Sequence, residues 1–143
     1  MSKIPVGIQL YTVREEFSND PKATIKAIAE MGYKGVEGSP PSGMSPKEFV
    51  KLLNDYGLKL TSSSTSISQL NDNLQEVVDR CRELGTNTLM TGIGGELRQN
   101  NNDWKLVVNN LKEACLKAAK AGLRILYHNH AFEFEAKVDG MYG

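Results

Sequence analysis

Hydrophobic and polar positions along this chain switch repeatedly between two spacings. Leu74, Val77, Val78, Cys81 and Leu84 recur at helical spacing, as do Trp104, Val107, Val108, Leu111, Cys115 and Ala118. Each set predicts a helix with one apolar face turned to a core. Between the helical stretches lie short runs that read as strands: Val6–Val13, Lys34–Glu37, Leu58–Ser62, Asn87–Thr91 and Leu123–His130. Four times a helical pattern ends in glycine and passes directly into a strand, at Gly32, Gly57, Gly85 and Gly122. Glycine suits the left-handed backbone just past a helix end, where a Cβ would clash.

The helix starts agree with this reading. Asp20 stands before Pro21, and Ser45-Pro46-Lys47-Glu48 combines a first-turn proline with a Ser-x-x-Glu capping box. Five strands alternating with four helices predict an α/β fold with parallel strands and right-handed crossovers. A partial (β/α)8 TIM barrel and a doubly wound sheet both satisfy that count. No strand is followed by G-x-G-x-x-G, which argues against a dinucleotide site. Gly92-Ile93-Gly94-Gly95 has neither that spacing nor a helix directly behind it, and reads as a tight turn.

Composition narrows the possibilities. The chain has 143 residues, whereas a complete barrel takes about 250, so residues 1–143 are expected to form the N-terminal part of a single barrel domain. Lys plus Arg and Asp plus Glu both total 17, and no basic run is present. Nucleic acid is therefore not an expected partner. No stretch has the length of a membrane span or the character of a secretory leader, so a cytoplasmic protein is expected. Cys81 and Cys115 read as small core residues rather than a disulfide or a metal pair.

Chemistry in a parallel α/β fold gathers at the carboxyl ends of the strands. The first strand offers Gln9 and Tyr11, which would share a face there. The second ends in Glu37, placed either to bind a sugar hydroxyl or to pair with a nearby cation. The fifth carries both histidines, in Tyr127-His128-Asn129-His130-Ala131-Phe132-Glu133-Phe134-Glu135. Two imidazoles on one face with carboxylates following suit metal or proton work. On an unbroken strand Glu133 and Glu135 would point away, so a carboxylate joins the histidines only if the backbone turns near Ala131. Thr61-Ser62-Ser63-Ser64-Thr65-Ser66 could bind hydroxyls but reads mainly as a polar loop.

Three passages together resemble the xylose isomerase-like TIM-barrel superfamily: Gly7-Ile8-Gln9-Leu10-Tyr11-Thr12-Val13-Arg14, Gly32-Tyr33-Lys34-Gly35-Val36-Glu37 and Tyr127-His128-Asn129-His130-Ala131-Phe132-Glu133-Phe134. The likeness is to its sugar phosphate isomerases/epimerases and runs over essentially the whole chain. It implies a divalent metal (Mn, Mg, Co or Zn) held by two glutamates, an aspartate and a histidine from strands five to eight. Such a metal polarises a carbonyl while an acid/base residue moves the proton on the adjacent carbon. By that resemblance Glu133 is the metal ligand and, with His130, the catalytic pair. Gln9, Tyr11, Glu37 and His128 are then substrate contacts, with His128 in place of Glu133 as ligand the other option.

At most one of the four ligands falls in this chain, so the implied sugar isomerase or epimerase is expected to be inactive in this form. The alternative is a non-catalytic or self-associating half-barrel that binds a polyol or a partner. A homo-oligomer would hide the strand edges that parallel pairing leaves open.

Overall fold

A computed structural model describes residues 4–93, 104–135, 137–138 and 141–142. Its strands are β1 (Gly7–Gln9), β2 (Gly35–Glu37), β3 (Lys59–Ser64), β4 (Thr88–Thr91) and β5 (Arg124–Tyr127). They form one parallel sheet in sequence order, β1-β2-β3-β4-β5. The helices are α1 (Arg14–Asn19), α2 (Pro21–Glu30), α3 (Pro46–Asp55), α4 (Ile67–Asp72), α5 (Leu74–Leu84) and α6 (Trp104–Lys120). The α/β, partial-barrel reading therefore holds. Two short helices, α1 and α4, add to the expected four. A hairpin of β6 (Lys137–Val138) and β7 (Met141–Tyr142) is antiparallel. Gly94 and Gly95, read as part of a tight turn, lie outside the described residues.

The chain packs as two compact units, Met1–Ser64 with Asp79–Thr88, and Thr65–Val78 with Leu89–Gly143. Local chemistry sets the element ends in both. Asp20 caps α2 by accepting from Ala23 N at 2.9 Å, and Ser45 and Glu48 make the reciprocal capping box on α3. Gly32, Gly57, Gly85 and Gly122 all take positive φ after their helices, the conformation expected of them.

In the first unit, Phe49, Leu53, Leu58, Ile25 and Val36 are at most 1% exposed and form a core with Leu10 and Phe17. Phe17 meets Phe49 edge-to-face at 6.1 Å. Strand one is shorter than expected. It stops at Gln9, and Leu10–Val13 form a 3₁₀ turn that continues into α1. Leu10, Val13 and Phe17 explain the change, because their spacing is helical and all three pack in that core. Strand three is longer than expected: Thr61 to Ser64 belong to β3, and Ser62 and Ser63 are buried, so this stretch is not the polar loop expected. A bulge sets the register, with Val36 opposite Leu60 but Glu37 opposite Ser62. The extra residue, Thr61, donates its hydroxyl to Val36 O at 2.9 Å.

In the second unit α4 packs on α6. Ile67, Leu70, Val107, Ala114 and Ala118 are buried, and Lys117 Nζ donates to Asn71 O at 3.1 Å. Val108, expected on the core stripe of α6, is instead 47% exposed. Alanines 114 and 118 define the buried face, and small side chains allow the close approach of a neighbouring element. Among the described residues no helix is long and apolar enough to cross a membrane. Cys81 is buried and Cys115 half-buried, both free. Burial pushes both thiols above their ordinary pKa, the charge of Arg80 partly opposing it at Cys81, so neither is an activated nucleophile.

Candidate functional site

Each unit places chemistry at the carboxyl end of its own strands. In the first, Glu37 closes β2 and is half-buried. Gln9 Nε2 donates to its Oε1 at 2.7 Å and Ser62 Oγ to its Oε2 at 3.0 Å. Glu37 is held by an amide and a hydroxyl from the two flanking strands. Ser39 Oγ and Ser63 Oγ lie 3.0 Å apart beside them.

A cavity of about 280 Å³ opens against this network, with Gln9, Tyr11, Arg14, Glu37, Ser39 and Ser64 among its lining. Tyr11 reaches it from a different direction than expected. With the strand ending at Gln9, Gln9 and Tyr11 do not share a strand face, and Tyr11 is 68% exposed. The Arg14 guanidinium lies 4.7 Å over the Tyr11 ring and donates to Tyr11 O at 3.2 Å.

In the second unit β5 ends at Tyr127, not His130. His128 and His130 lie beyond the strand and are exposed, yet their rings remain neighbours with centroids 4.8 Å apart. The His130 ring stacks on Phe132 at 5.8 Å, and Phe132 lies 6.0 Å from Trp104. The chain then turns through a 3₁₀ helix, Ala131–Phe134, where a turn was required for a carboxylate to face back. Glu133 is 5% exposed. Tyr127 Oη donates to its Oε1 at 2.9 Å, and His130 N–H donates to its Oε2 at 2.7 Å. Glu135 remains exposed and takes no part.

Burial alone would raise the pKa of Glu133. The hydrogen bonds from the His130 amide and the Tyr127 hydroxyl outweigh it, and the carboxyl sits below its ordinary value. Burial, together with the bond to Glu133, pushes the Tyr127 phenol in the opposite direction, far above its ordinary range. The result is an ionised, oriented carboxylate beside a proton-bearing phenol. Close by, His128 N donates to Thr91 O at 2.8 Å. The Thr91 hydroxyl is buried with no partner among the described residues.

This arrangement accommodates one carboxylate ligand to a divalent metal, Glu133, whose two oxygens keep acceptor capacity beyond their present bonds. Among the described residues no three His, Cys, Asp or Glu side chains converge on a metal position. Sequence reasoning missed Tyr127 and Thr91, and took Ser62 and Ser63 mainly for loop residues. A polar run in which two successive side chains are buried looks the same as a loop until its partners across the sheet are known. Tyr127 had a readable signal, since it stands directly before the passage that carries both histidines.

The family profile of the xylose isomerase-like TIM barrel matches residues 25–139. No curated protein sequence matches the chain. Among solved structures it is similar to a sugar phosphate isomerase/epimerase from Parabacteroides distasonis, with 22% identity and a TM-score of 0.74 over 94% of this chain and 54% of that one. It is similar also to an AP endonuclease, family 2, from Brucella melitensis (16% identity, TM-score 0.63, 87% of this chain and 55% of that one). A third is the probable 3-DHS dehydratase from Bacillus anthracis (14% identity, TM-score 0.59, 87% of this chain and 52% of that one). The chain spans about half the length of these structures, and likeness at such identities shows the fold alone. With the profile covering most of its residues, the chain belongs to the xylose isomerase-like TIM-barrel family.

Proposed function

We propose that this chain supplies strands one to five of a site that isomerises or epimerises a sugar or sugar phosphate by moving a proton on the carbon next to a carbonyl. The observation that carries the reading is Glu133, a carboxylate 5% exposed and kept ionised at the end of β5 by Tyr127 and the His130 amide. An oriented, ionised carboxylate is what either proton abstraction or metal ligation needs. Glu133 would be the ligand that this chain offers to a divalent metal. When bound, such a metal polarises the carbonyl and stabilises negative charge developing on its oxygen. The exposed, neighbouring His128 and His130 rings just before Glu133's turn are suited to contact substrate and, for His130, to pass a proton. Gln9, Tyr11 and Glu37 are the chain's further proposed substrate contacts.

A second reading rests on a specific observation: no three metal-ligating side chains converge among the described residues. On that reading the chain associates with itself or with a partner and binds a polyol without turning it over. Native mass spectrometry with added Mn²⁺, followed by sugar incubation in D₂O, separates the two. A metal-loaded species that places deuterium next to the ketose carbonyl, and loses this with Glu133→Gln, supports catalysis. A metal-bearing species that exchanges no proton with any sugar of the panel sinks the proton-transfer reading and leaves the binding one.

A further inference from the structure

We propose that the fold holds the neutral His130 ring with its proton on Nε2, making it a hydrogen-bond donor toward a bound substrate and not a base. This donor role rests on the proton-transfer reading only for the oxygen that it would meet. His130 is the N-cap of the 3₁₀ turn Ala131–Phe134, and two contacts close a capping box there. The Glu133 carboxylate accepts from the His130 N–H at 2.7 Å, and the His130 side chain accepts from the Glu133 N–H. Nδ1 is the ring nitrogen that takes the place of an Asn or Asp oxygen at an N-cap. A nitrogen that accepts an N–H keeps its lone pair free of a proton, so in the neutral ring the proton lies on the other nitrogen.

The neighbouring rings keep that pose. One face of the His130 ring stacks on Phe132 at 5.8 Å with 17° between the planes, and the His128 ring meets it edge-on at 4.8 Å. Turning the ring over about its Cβ–Cγ bond would put a carbon opposite the Glu133 N–H and strand that donor. His130 is exposed, which leaves the Nε2–H to water or to a ligand. Such a donor stabilises negative charge developing on a substrate oxygen. His130 then passes a proton in one direction only, outward toward that oxygen, and taking the proton from carbon falls to a carboxylate.

The chain has two histidines, so His128→Gln leaves His130 as the single imidazole. Two-bond ¹H–¹⁵N correlation spectra of this variant in chelator, at about pH 8.5 where an ordinary imidazole is neutral, read which nitrogen carries the proton. The preference for Nε2 should be about fivefold greater in the folded chain than in urea, the scale of one ordinary hydrogen bond. His130→Ala should speed exchange of the Glu133 amide about fivefold, and His130→Asn, whose side-chain oxygen caps in place of Nδ1, should restore it. A folded ring with its proton on Nδ1, or a ratio unchanged from that in urea, would overturn the proposal. So would a Glu133 amide indifferent to His130→Ala. If His128→Gln unfolds, the same spectra of the parent chain, with both rings assigned, carry the test. Neither metal nor sugar enters the measurement, so failure of the isomerase reading leaves its result standing, and the reverse also holds.

Discussion

Replacing Glu37 by alanine tests the network that organises the first unit. The carboxylate accepts from Gln9 at 2.7 Å and from Ser62 at 3.0 Å. Its removal strands the Ser62 hydroxyl, which is 2% exposed, at a cost of about 1–3 kcal/mol for a buried unsatisfied donor. Gln9 is half-buried and can turn to water, so its lost bond adds about 0.5–1 kcal/mol. Glu37→Ala is thus expected to cost about 1.5–4 kcal/mol in all. Ser62→Ala alone leaves Glu37 with Gln9 and water, and should cost about 1 kcal/mol. In the double variant no stranded hydroxyl exists, so the two losses should fall short of additive by about 1–2 kcal/mol. Urea unfolding of the four proteins at one pH measures this. For a chain of 143 residues, each kcal/mol moves Tm by about 3 °C, so Glu37→Ala should melt about 5–12 °C lower. A coupling below about 0.5 kcal/mol would refute the direct Glu37–Ser62 bond, since unlinked sites add within that margin.

Other contacts give further expected outcomes. Phe49→Ala empties a site that is 0% exposed and removes the edge contact with Phe17; denaturation should show a loss of about 3–5 kcal/mol, and a loss under about 1 would mean the core had collapsed around the gap. At Gly92 a Cβ would stand 2.8 Å from the His128 carbonyl oxygen, so Gly92→Ala should part the chain there and speed amide exchange at His128; unchanged protection would contradict the close approach. Tyr127→Phe removes a hydrogen bond that lowers the Glu133 pKa, and carboxyl-labelled NMR should find that carboxyl titrating at higher pH than in the parent; an unmoved titration would deny the bond. Glu48, lowered first by the Ser45 hydroxyl and then by the Ser45 amide, stabilises the fold above its unfolded pKa and ceases to as pH falls through its folded value. Ser45→Ala should flatten that acid dependence of stability; an identical slope would count against the box.

Much of the architecture was legible because it is written in local spacing. Glycines 32, 57, 85 and 122 end helices wherever the apolar period breaks, and each takes the positive φ that only a residue without a side chain adopts cheaply. Asp20 and Ser45 start helices with partners three residues away. That both histidines and Glu133 lie close together after strand five was also readable, since they fall in one short passage.

The sequence by itself determined the order of the five strands and the four longer helices, the caps at Asp20 and Ser45, and the family, because those depend on residues within a turn or two of each other. Tertiary structure alone decided where β1 stops, since Leu10 leaves the strand to join a core built by Phe49 and Leu53 from α3. It also decided that Ser62 rather than Thr61 faces Glu37, through a bulge in strand pairing. And it decided that Glu133 is a buried anion rather than a surface charge, because a turn returns it to Tyr127. The bulge and the core contact join residues far apart in the chain, and the turn folds Glu133 back onto the end of β5. In each case the energy comes from pairing a polar group, or removing an apolar one from water, against partners that only the folded chain brings within reach.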